Sequence, residues 1–440
     1  MFEKRYCTMK PEVFIKPTGS ILIDDVRACF NAFGGVESIV KESGKVFVKL
    51  NLTMPEPSAI TTPEVVLSTI QVLKEANIDP KNIYVFDNCA VGFCTRFSFA
   101  VDNLGKRIRK LGAKPVCLDE QKSIDVEFKG LALDKPIPIP KILYDNLIEK
   151  REENTYINIP KLKTHLQTGL TNCIKNQHGL LYDNEKVYNH HLIDEKVVEI
   201  LSKFRPDFNI VDALTVVDYG QVAILPEWNI PMGLLLAGRD PVAVDTVGAA
   251  LLGIKEVKHI DLAAEQGLGC NDLNKINILP SKDLIDQYKM QLHCQSIPLK
   301  SSEKITFIKG KEKVCRTGCL TIGLYFIIFT HDTNYGPCVG VIGKGHDTAE
   351  LDQYPGPFIV NGPCAVSELR DYFETRKKKE KIKVAYIEDH CNLAELTKYV
   401  RSCAQVPLSA LSTLTPISLL KLMGLLIWAK LHRVRCQFKF

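Results

Sequence analysis

The sequence has little excess charge of either sign. Its 440 residues include 56 lysines and arginines and 51 aspartates and glutamates, which gives a formal net charge of +5 at pH 7. A balance this mild gives no indication of nucleic-acid binding, and we expect none. The apolar content of 45% and charged content of 24% are ordinary for a soluble globular protein, and the length suggests about two to three domains.

Two kinds of sequence signal are also missing. The sequence contains no glycine-rich dinucleotide fingerprint and no Walker motif, so it does not support nucleotide use. The N-terminal stretch MFEKRYCTMKPEVFIKP has no apolar signal-peptide core. We therefore expect a cytoplasmic protein whose thiols stay reduced.

Cysteine, by contrast, is plentiful, with 15 in the chain. In a reducing compartment cysteines serve as core filler, metal ligands or reactive groups rather than as a disulfide framework. Cys29, Cys117 and Cys173 stand in apolar surroundings and are interpreted as filler. In the segment DNCAVGFC, Cys89 and Cys94 follow a predicted strand; metal binding is open there, but filler beside a turn is favoured.

Strands and helices alternate through the first 300 residues. KVFVKLN is typical of a buried strand, and TTPEVVLSTIQVLKEANI predicts a helix that Thr62 can cap and whose first turn suits Pro63. This alternation predicts an α/β fold with a mainly parallel, doubly wound sheet. Further strands are predicted at 82–88, 113–120, 208–218 and 232–238, and further helices at 96–112, 190–204, 239–253 and 257–269.

Three domains are predicted. An α/β core occupies residues 1–300, a smaller α/β cysteine-rich module residues 301–404, and a basic tail residues 405–440. The apolar run from Ile417 to Leu431 would form a helix of roughly 22 Å, which is too short for a hydrocarbon core of ~30 Å. We expect an amphipathic helix over residues 417–436 that contacts either a membrane surface or protein.

One segment, Pro160 to Leu181, concentrates polar side chains after a predicted strand, where parallel sheets bind their ligands. Lys161 and Lys163 alternate along extended backbone and can face the same side. A helix beginning near Thr168 would offer free N–H groups to an anion, and Gly169 would permit its close approach. The segment therefore predicts a pocket for a small carboxylate or phosphate.

Proton transfer is predicted in the same pocket because histidines exchange protons near neutral pH. The predicted catalytic residues are His165, Lys175 and His178. The predicted substrate-binding residues are Lys161, Lys163, Gly169, Asn88 and Arg239. The alternative is that the lysines pair with Asp212, Asp218 and Asp245 and only hold the loop in shape. His190 and His191 are interpreted as mostly structural, with one of them open as a pocket residue.

The core resembles domain-of-unknown-function family 362 over residues 45–275. The matching motifs are VKLNL, TTPEVV, INIPKLKTH with the following TG and IKN, LLLAGRDPVAVDTVGAALLG, and VKHIDLAAEQGLG. THLQTGLTNCIKNQHG is also distantly similar to a segment of the nickel-pincer lactate racemases, whose lysine holds the cofactor and whose histidines act as acid, base and ligand. The matching positions are His165, Gly169 and Lys175. Thr171-Asn172 replaces the double glycine before the lysine, so this resemblance implies the place of the pocket and not its chemistry.

Residues 315–391 resemble a cysteine-bearing C-terminal module of some members of that family. The module has a cysteine pair that opens a helix, an N-x-C-A element and a late cysteine. The resemblance implies a 4Fe–4S cluster, with zinc as the alternative, and Cys338 and Cys403 as reserve ligands; thiolates are soft ligands that suit both. The first pair is spaced C-x3-C here, where C-x2-C is commoner. The implied metal ligands are Cys315, Cys319, Cys364 and Cys391.

Two functions remain open at this point. The first is an iron–sulfur enzyme, an oxidoreductase or isomerase, that performs redox or proton-transfer chemistry on a small anionic organic substrate. The second is a non-catalytic electron-transfer or cluster-binding protein that docks to a redox partner or, through residues 417–436, to a membrane. Substrate-dependent turnover separates them. The sequence does not indicate the substrate, the reaction type or a cofactor of the core.

Overall fold

The protein is described by a computed structural model in two compact units. The first comprises Met1–Cys294 together with a short C-terminal piece that includes Arg435, and the second comprises Gln295–Trp428. The residues that the structure describes are 10–42, 44–53, 57–91, 93–128, 130–220, 228–293, 305–315, 319, 337–388, 399, 427, 431, 434 and 435.

The first unit is built on a ten-stranded sheet with the strand order β12-β1-β11-β10-β7-β2-β3-β4, with β8 paired to β10 and β9 paired to β8. Two further strands, β5 and β6, form a separate antiparallel pair. The strands are β1 Glu12–Pro17, β2 Val46–Lys49, β3 Ile83–Asp87, β4 Lys114–Cys117, β5 Ser123–Val126, β6 Ile137–Pro140, β7 Thr155–Asn158, β8 Lys161–His165, β9 Gly169–Thr171, β10 Phe208–Val217, β11 Asn229–Gly238 and β12 Asn277–Leu279.

Helices connect these strands and cover both faces of the sheet, and the strands at its centre are buried along their whole length, as in β2 and β7. The helices are α1 Leu22–Asn31, α2 Pro63–Glu75, α3 Thr95–Ser98, α4 Leu104–Lys110, α5 Lys141–Tyr144, α6 Cys173–Asn176, α7 Asp183–Val187, α8 Ile193–Lys203, α9 Pro241–Leu251, α10 Lys258–Glu265 and α11 Asp283–Tyr288.

The predicted fold class is confirmed, because β10, β7, β2, β3 and β4 are successive parallel neighbours. Strand β11 is the exception: it runs antiparallel to both β1 and β10. The end of β11 therefore lies beside the start of β10, where Gly238 pairs with Asn209. The residues that follow β11 thus lie at the opposite edge of the sheet from those that follow β2 and β3.

The helix predicted over 96–112 is interrupted in the structure. Thr95–Ser98 and Leu104–Lys110 are helical, but Asp102 and Asn103 between them have φ values of +47° and +52°. Left-handed backbone cannot continue a right-handed helix, and aspartate and asparagine tolerate it better than most residues. The two short helices flank the end of β4.

The second unit contains a four-stranded parallel sheet in the order β13-β14-β15-β16, which is a smaller α/β fold. Its strands are β13 Ile305–Lys309, β14 Cys338–Ile342, β15 Phe358–Asn361 and β16 Val384–Ile387, and its described helices are α12 Thr348–Leu351 and α13 Pro363–Lys379. The predicted helix over 417–436 lies outside the described residues apart from Ile427, Leu431, Val434 and Arg435. Within the described part of the chain, no helix combines the length and the apolarity that crossing a bilayer requires.

Candidate functional site

The candidate site lies where β2, β3 and β7 end and β8 begins. Lys49 is the last residue of β2 and Asp87 the last of β3, while Lys163 occupies the middle of β8. Residues 161–174 are buried at every position, so this segment forms an interior wall and not the exposed loop that its charges would suggest. Lys175 and His178, which follow, are half-buried and form the side of the site nearest to solvent.

Two buried lysines at the site are neutralised by carboxylates of the protein. The Nζ of Lys49 donates to Oδ1 of Asp87 at 2.5 Å, and the Nζ of Lys161 lies 3.2 Å from Oδ2 of Asp212. Asp212 also accepts the backbone N–H of Thr62 at 2.7 Å. The pairing of Lys161 with Asp212 was the alternative interpretation of this lysine, and it removes Lys161 from the free cations that a ligand would meet.

Lys163 is fully buried and, among its described partners, has only neutral oxygens. Its Nζ donates to Oδ1 of Asn51 at 2.9 Å, to Oγ1 of Thr53 at 3.1 Å and to the carbonyl of Ala59 at 3.3 Å. Burial, reinforced by the charges of Lys161 and Lys175, lowers the pKa of Lys163 to about 7. No described carboxylate forms an ion pair with this buried ammonium group, and the charges of Asp87 and Asp212 oppose the lowering of its pKa only in part.

A chain of asparagine side chains fixes the orientation of Asn51 toward Lys163. The amide of Asn51 donates to Oδ1 of Asn176 at 3.0 Å, Asn176 donates to Oδ1 of Asn158 at 2.8 Å, and Asn158 donates to Oδ1 of Asn209 at 3.0 Å. The amide nitrogen of Asn51 donates within this series of asparagines, so its Oδ1 faces the ammonium group of Lys163 and accepts from it. Such a fully connected buried network is rigid and holds the lysine in place.

Lys175 differs from the other lysines of the site because, within the described residues, its ammonium group makes neither a hydrogen bond nor a salt bridge. Burial lowers its pKa to about 8, with Asp194 opposing this shift and Lys186 and Lys49 adding to it. Its side chain rises from α6, the short helix that follows the buried wall. Two cations of the site, Lys163 and Lys175, are thus without a carboxylate partner.

Three histidines follow Lys163 in the chain, and two of them, His178 and His190, lie close enough to Lys175 to feel its charge. Nδ1 of His165 accepts the backbone N–H groups of Gln167 at 3.1 Å and Thr168 at 3.2 Å, so the ring proton of a neutral His165 is on Nε2. The rings of His178 and His190 lie edge to face with their centroids 5.9 Å apart. Nε2 of His178 is buried with no hydrogen-bond partner among the described residues.

The electrostatic environment keeps His178 and His190 neutral. Burial lowers the pKa of His178 well below its ordinary value, and the charges of Lys175 and Lys196 lower it further. Burial and the same two lysines lower the pKa of His190 to about 3. The sequence predicts a mostly structural role for His190 and His191, with one of the two open as a pocket residue. The adjacent histidines were the only signal in the sequence for such a role.

The amino end of α6 is occupied by the protein itself. Helix α6 begins at Cys173 and not near Thr168, and the carboxylate of Asp245 from α9 accepts the N–H groups of Cys173 at 2.7 Å and Ile174 at 3.0 Å. The expectation of free N–H groups for an anion is therefore wrong. Gly169, expected among the substrate-binding residues, lies in a tight β8–β9 turn, where it pairs with His165 and has a φ of +78°.

Arg239 is not part of the site. It follows the antiparallel strand β11, so it lies at the opposite edge of the sheet, where it is exposed and donates to the carbonyl of Ser38 at 2.7 Å. Asn88, by contrast, is at the expected edge but is already bonded: its amide donates to the carbonyl of Leu181 at 2.5 Å and its Oδ1 accepts from Thr95 at 3.3 Å. Neither residue offers a free group to a ligand at this site.

The cysteines of the second unit are brought together only in part. The sulfurs of Cys315 and Cys319 lie 3.6 Å apart, and Sγ of Cys315 accepts the backbone N–H of Cys319 at 3.4 Å. Cys364 is exposed in the first turn of α13, next to Gly362, and a Cβ at Gly362 would lie 4.0 Å from Sγ of Cys319. Cys391 lies outside the described residues.

Of the described cysteines in this module, only Cys315 and Cys319 are shown to lie close enough to share one metal ion. Zn–S distances of about 2.3 Å in a tetrahedral site place two sulfurs roughly 3.8 Å apart, which is close to the separation of Cys315 and Cys319. An iron–sulfur cluster is also held by cysteine thiolates, but these surround a larger inorganic core, so the pair would have to separate to bind one. Cys319 and Ile342 form a small apolar cluster against which Cys315 packs, which limits solvent at this end of the unit.

Comparisons with known proteins relate this chain to one family and to two individual proteins. The chain is 28% identical over 273 residues to a thylakoid-associated protein of Synechocystis, an alignment that covers 57% of this chain and 76% of that protein. A crystal structure of a Thermotoga maritima protein matches with a TM-score of 0.33 and 12% identity over 77% of this chain and 75% of that one. Residues 46–250, which include every core residue of the candidate site, match the model of the family described as a domain of unknown function, DUF362. The core of this chain therefore belongs to the DUF362 family.

Proposed function

We propose that the core binds a small organic anion, a carboxylate or a phosphate, beside Lys163 and Lys175, and that the neighbouring histidines exchange protons with it. The observation that carries this proposal is the pair of buried or half-buried ammonium groups with no described carboxylate partner. A buried charge without a counter-charge is costly, and an anion placed beside both lysines would offset that cost.

The charge distribution around the site favours an anion over a cation or a neutral ligand. Lys49 and Lys161 are already paired with Asp87 and Asp212, so these pairs contribute little net charge. Lys163 and Lys175 have lowered pKa values because their positive charges are unfavourable in the unliganded site. An anion would reverse this effect, raise both pKa values and draw protons onto the two lysines as it binds.

The same groups can perform proton transfer near neutral pH. A base must be unprotonated to accept a proton, and the lowered pKa values leave His178 and His190 neutral. They are weak bases in this state, and an anion bound beside them would raise their pKa values toward neutral pH. Nε2 of neutral His165 carries a proton that it can donate to an anionic oxygen. Lys175, with a pKa of about 8, is present in both protonation states at physiological pH. The proposed catalytic residues are therefore His165, Lys175, His178 and His190, and Lys163 is the principal anion-binding residue.

The second unit is proposed to hold a metal centre on Cys315, Cys319 and Cys364. The resemblance to cysteine-bearing modules favours a 4Fe–4S cluster, and the separation of 3.6 Å between two of the sulfurs supports zinc as the alternative. A cluster would supply one-electron redox chemistry, which would make the protein an oxidoreductase. Without a cluster, the core alone would be suited to an isomerisation by proton transfer.

Anion binding by the full-length protein tests the core proposal. We expect inorganic phosphate and lactate to raise the thermal unfolding temperature and to bind with proton uptake, seen in calorimetry as a dependence of the binding heat on the buffer. Lys163→Met and Lys175→Met should weaken binding at least about 10-fold, because each removes a cation next to the ligand. Lys282→Met, which removes an exposed lysine of the same unit, is the matched control.

Catalysis is tested separately by proton exchange. In D2O, the wild-type protein should exchange the carbon-bound proton next to the lactate carboxylate, and His178→Gln should slow this exchange while phosphate still binds. If neither anion binds and the lysine variants match Lys282→Met in every measurement, the anion site is refuted.

The non-catalytic alternative is supported by a different observation. The Synechocystis relative is described as thylakoid-associated, and the tail of this chain is basic, which together favour a peripheral membrane contact through residues 417–436 rather than a purely cytoplasmic protein. Flotation with liposomes that contain anionic lipids, with and without residues 405–440, tests this. We expect the full chain to float with the liposomes and the truncated chain to remain in the protein fraction. If both partition equally, the tail packs against protein and does not bind membranes.

A further inference from the structure

The end of β4 carries three metal-ligating side chains that the proposed anion site does not use. Cys117 is the last residue of β4, and Asp119 and Glu120 form the helical turn that follows it. One potential ligand atom from each, a sulfur and two carboxylate oxygens, lies within 4.8 Å of the other two. Elsewhere in the described ranges, no other group of three such side chains is this close.

The state of Asp119 is an independent indication of a missing ligand. Its side chain is buried, with 1% exposure, and its Oδ2 accepts the backbone N–H of Thr95 at 3.0 Å. Its Oδ1 is also buried but has no hydrogen-bond partner among the described residues. A buried carboxylate oxygen without a donor costs more than a neutral group in the same position, and a bound cation would remove this cost.

The surroundings supply the supporting contacts that metal ligands usually have. Arg96 donates from Nε and Nη2 to the two oxygens of Glu120 at 2.8 and 2.7 Å, which fixes the orientation of this carboxylate. This guanidinium is the only cation that an ion pair joins to the three side chains in the described structure. Two carboxylates and one guanidinium leave a net negative charge at these side chains, and a divalent ion would balance it.

A path from solvent leads to Cys117 and Glu120, whereas Asp119 is buried and does not line the cavity. A cavity of about 380 Å³ opens at the end of β4, and its lining includes Cys117, Glu120 and Arg96 together with the apolar side chains of Phe99 and Ile142. An ion could enter through this cavity, and a fourth ligand, a water molecule or a group of a bound molecule, could occupy it. Three protein ligands and one open position are typical of catalytic zinc sites.

We propose that Cys117, Asp119 and Glu120 together bind one divalent transition-metal ion of the zinc class, with its open coordination position facing this cavity. One thiolate and two carboxylates form a mixed ligand set that zinc accepts, whereas magnesium and calcium favour oxygen ligands alone. Cys117 would then be a metal ligand and not the core filler that its sequence surroundings predict. None of these three side chains belongs to the proposed anion site, although Thr95 bonds both to Asp119 and to Asn88 beside that site.

Zinc binding by the full-length protein tests the proposal. The measurements use a Cys315→Ser/Cys319→Ser parent so that the second unit does not bind the metal, with Zn²⁺ alone as the probe in competition with a chromophoric chelator. We expect one Zn²⁺ per chain, and affinities at least 10-fold lower for Cys117→Ser and Asp119→Asn. Cys270→Ser, at a half-buried cysteine, and Asp125→Asn, at an exposed aspartate, are the matched controls and should bind as the parent does.

Two further readouts separate the loss of a ligand from misfolding. Co²⁺ in place of Zn²⁺ should give the near-ultraviolet absorption of a thiolate-bound ion in the parent and in Cys270→Ser, but not in Cys117→Ser. Glu120→Gln changes a side chain that is 18% exposed, so it should fold and still lose the increase in unfolding temperature that Zn²⁺ gives the parent. The proposal is overturned if the parent binds no Zn²⁺, or if Cys117→Ser and Glu120→Gln bind it as tightly as the controls do.

Discussion

Lys163 shows how a single side chain can be held in the protein at a cost to stability. Its ammonium group is removed from water and receives three neutral oxygens in exchange, and the charges of Lys161 and Lys175 repel it. Hydrogen bonds from neutral acceptors offset only part of the free energy of desolvation of a charge. A residue retained under these conditions is better explained by binding than by folding.

The first prediction concerns the pH dependence of stability at Lys163. The pKa of Lys163 is about 7 in the folded protein, below the value of about 10.4 of an unfolded chain. Below pH 7 both states are protonated and the full cost of the buried charge is present. Between pH 7 and about 10 the unfolded chain binds the extra proton, so the free energy of unfolding should rise by up to about 1.4 kcal/mol per pH unit.

Lys163→Met should lack this contribution. We expect the wild-type protein to gain stability relative to Lys163→Met as the pH rises from 7 to 10, measured by urea unfolding at constant ionic strength. The difference between wild type and Lys282→Met should be flat over the same range because this lysine is exposed. If the stability difference between wild type and Lys163→Met is also independent of pH, the folded protein does not lower the pKa of Lys163.

The two short elements β8 and α6 give the site its shape. Strand β8 pairs with β10 and with β9, which buries Lys161 and Lys163 along its length. Helix α6 starts only after β9, so that Lys175 projects from a different element than Lys163 does. The position of this helix depends on Asp245, which accepts its first two N–H groups from a distance of more than 70 residues along the chain.

The second prediction therefore concerns Asp245. Asp245→Ala should lower the free energy of unfolding by about 2–6 kcal/mol, because it leaves two buried N–H groups without an acceptor at about 1–3 kcal/mol each. It should also weaken phosphate binding, because α6 carries Lys175. Asp245→Asn keeps one acceptor oxygen and should have roughly half the effect on stability.

Urea unfolding measures this change in stability, with Asp286→Ala as the control at an exposed aspartate of α11. Full stability in Asp245→Ala would mean that α6 finds other acceptors and that the contact with α9 is dispensable.

The elements that were predicted correctly are those with local signals. Thr62, Pro63 and the apolar spacing after them predicted α2, and the structure has this helix at Pro63–Glu75, with Thr62 at the N-cap position but without a capping hydrogen bond from its side chain. The direction of β11 could not be predicted, because a buried strand has the same apolar pattern whether its neighbours are parallel or antiparallel. This is why Arg239 was assigned to the wrong edge of the sheet.

The candidate site divides in the same way. Lys163, His165 and Lys175 were predicted as site residues because ligands bind at the strand ends of parallel sheets, and their role stays a prediction. The pairing of Lys161 with Asp212 was only one of two alternatives, and the pairing of Asp245 with the start of α6 was not predicted. Both are contacts between residues far apart in the chain, and no local pattern reports them.

At the scale of the whole molecule, the chain combines two units with different chemistry. The core has buried lysines and neutral histidines and belongs to the DUF362 family, whereas the second unit is a four-stranded parallel sheet with a close pair of thiols. Part of the tail also contacts the first unit, since the backbone N–H of Arg435 donates to the carbonyl of Asp119 at 2.8 Å and its guanidinium lies 4.8 Å from the ring centre of Tyr182. The end of the tail can pack on the core while residues 417–436 bind a membrane only if the two contacts use different faces of the tail.

The last prediction concerns the metal content of the complete protein. Protein purified without oxygen should contain iron and acid-labile sulfide in nearly equal amounts, together with the visible absorption of an iron–sulfur cluster. Cys315→Ser and Cys319→Ser should each lose most of both, because each removes a thiolate from the pair whose sulfurs lie 3.6 Å apart. Cys270→Ser should retain them, and any zinc bound by Cys117, Asp119 and Glu120 should be unchanged in all three variants. If the protein instead contains zinc without sulfide, and both variants lose this zinc, the metal centre is a single tetrahedral ion and not a cluster. If both variants keep their metal, Cys315 and Cys319 are not its ligands.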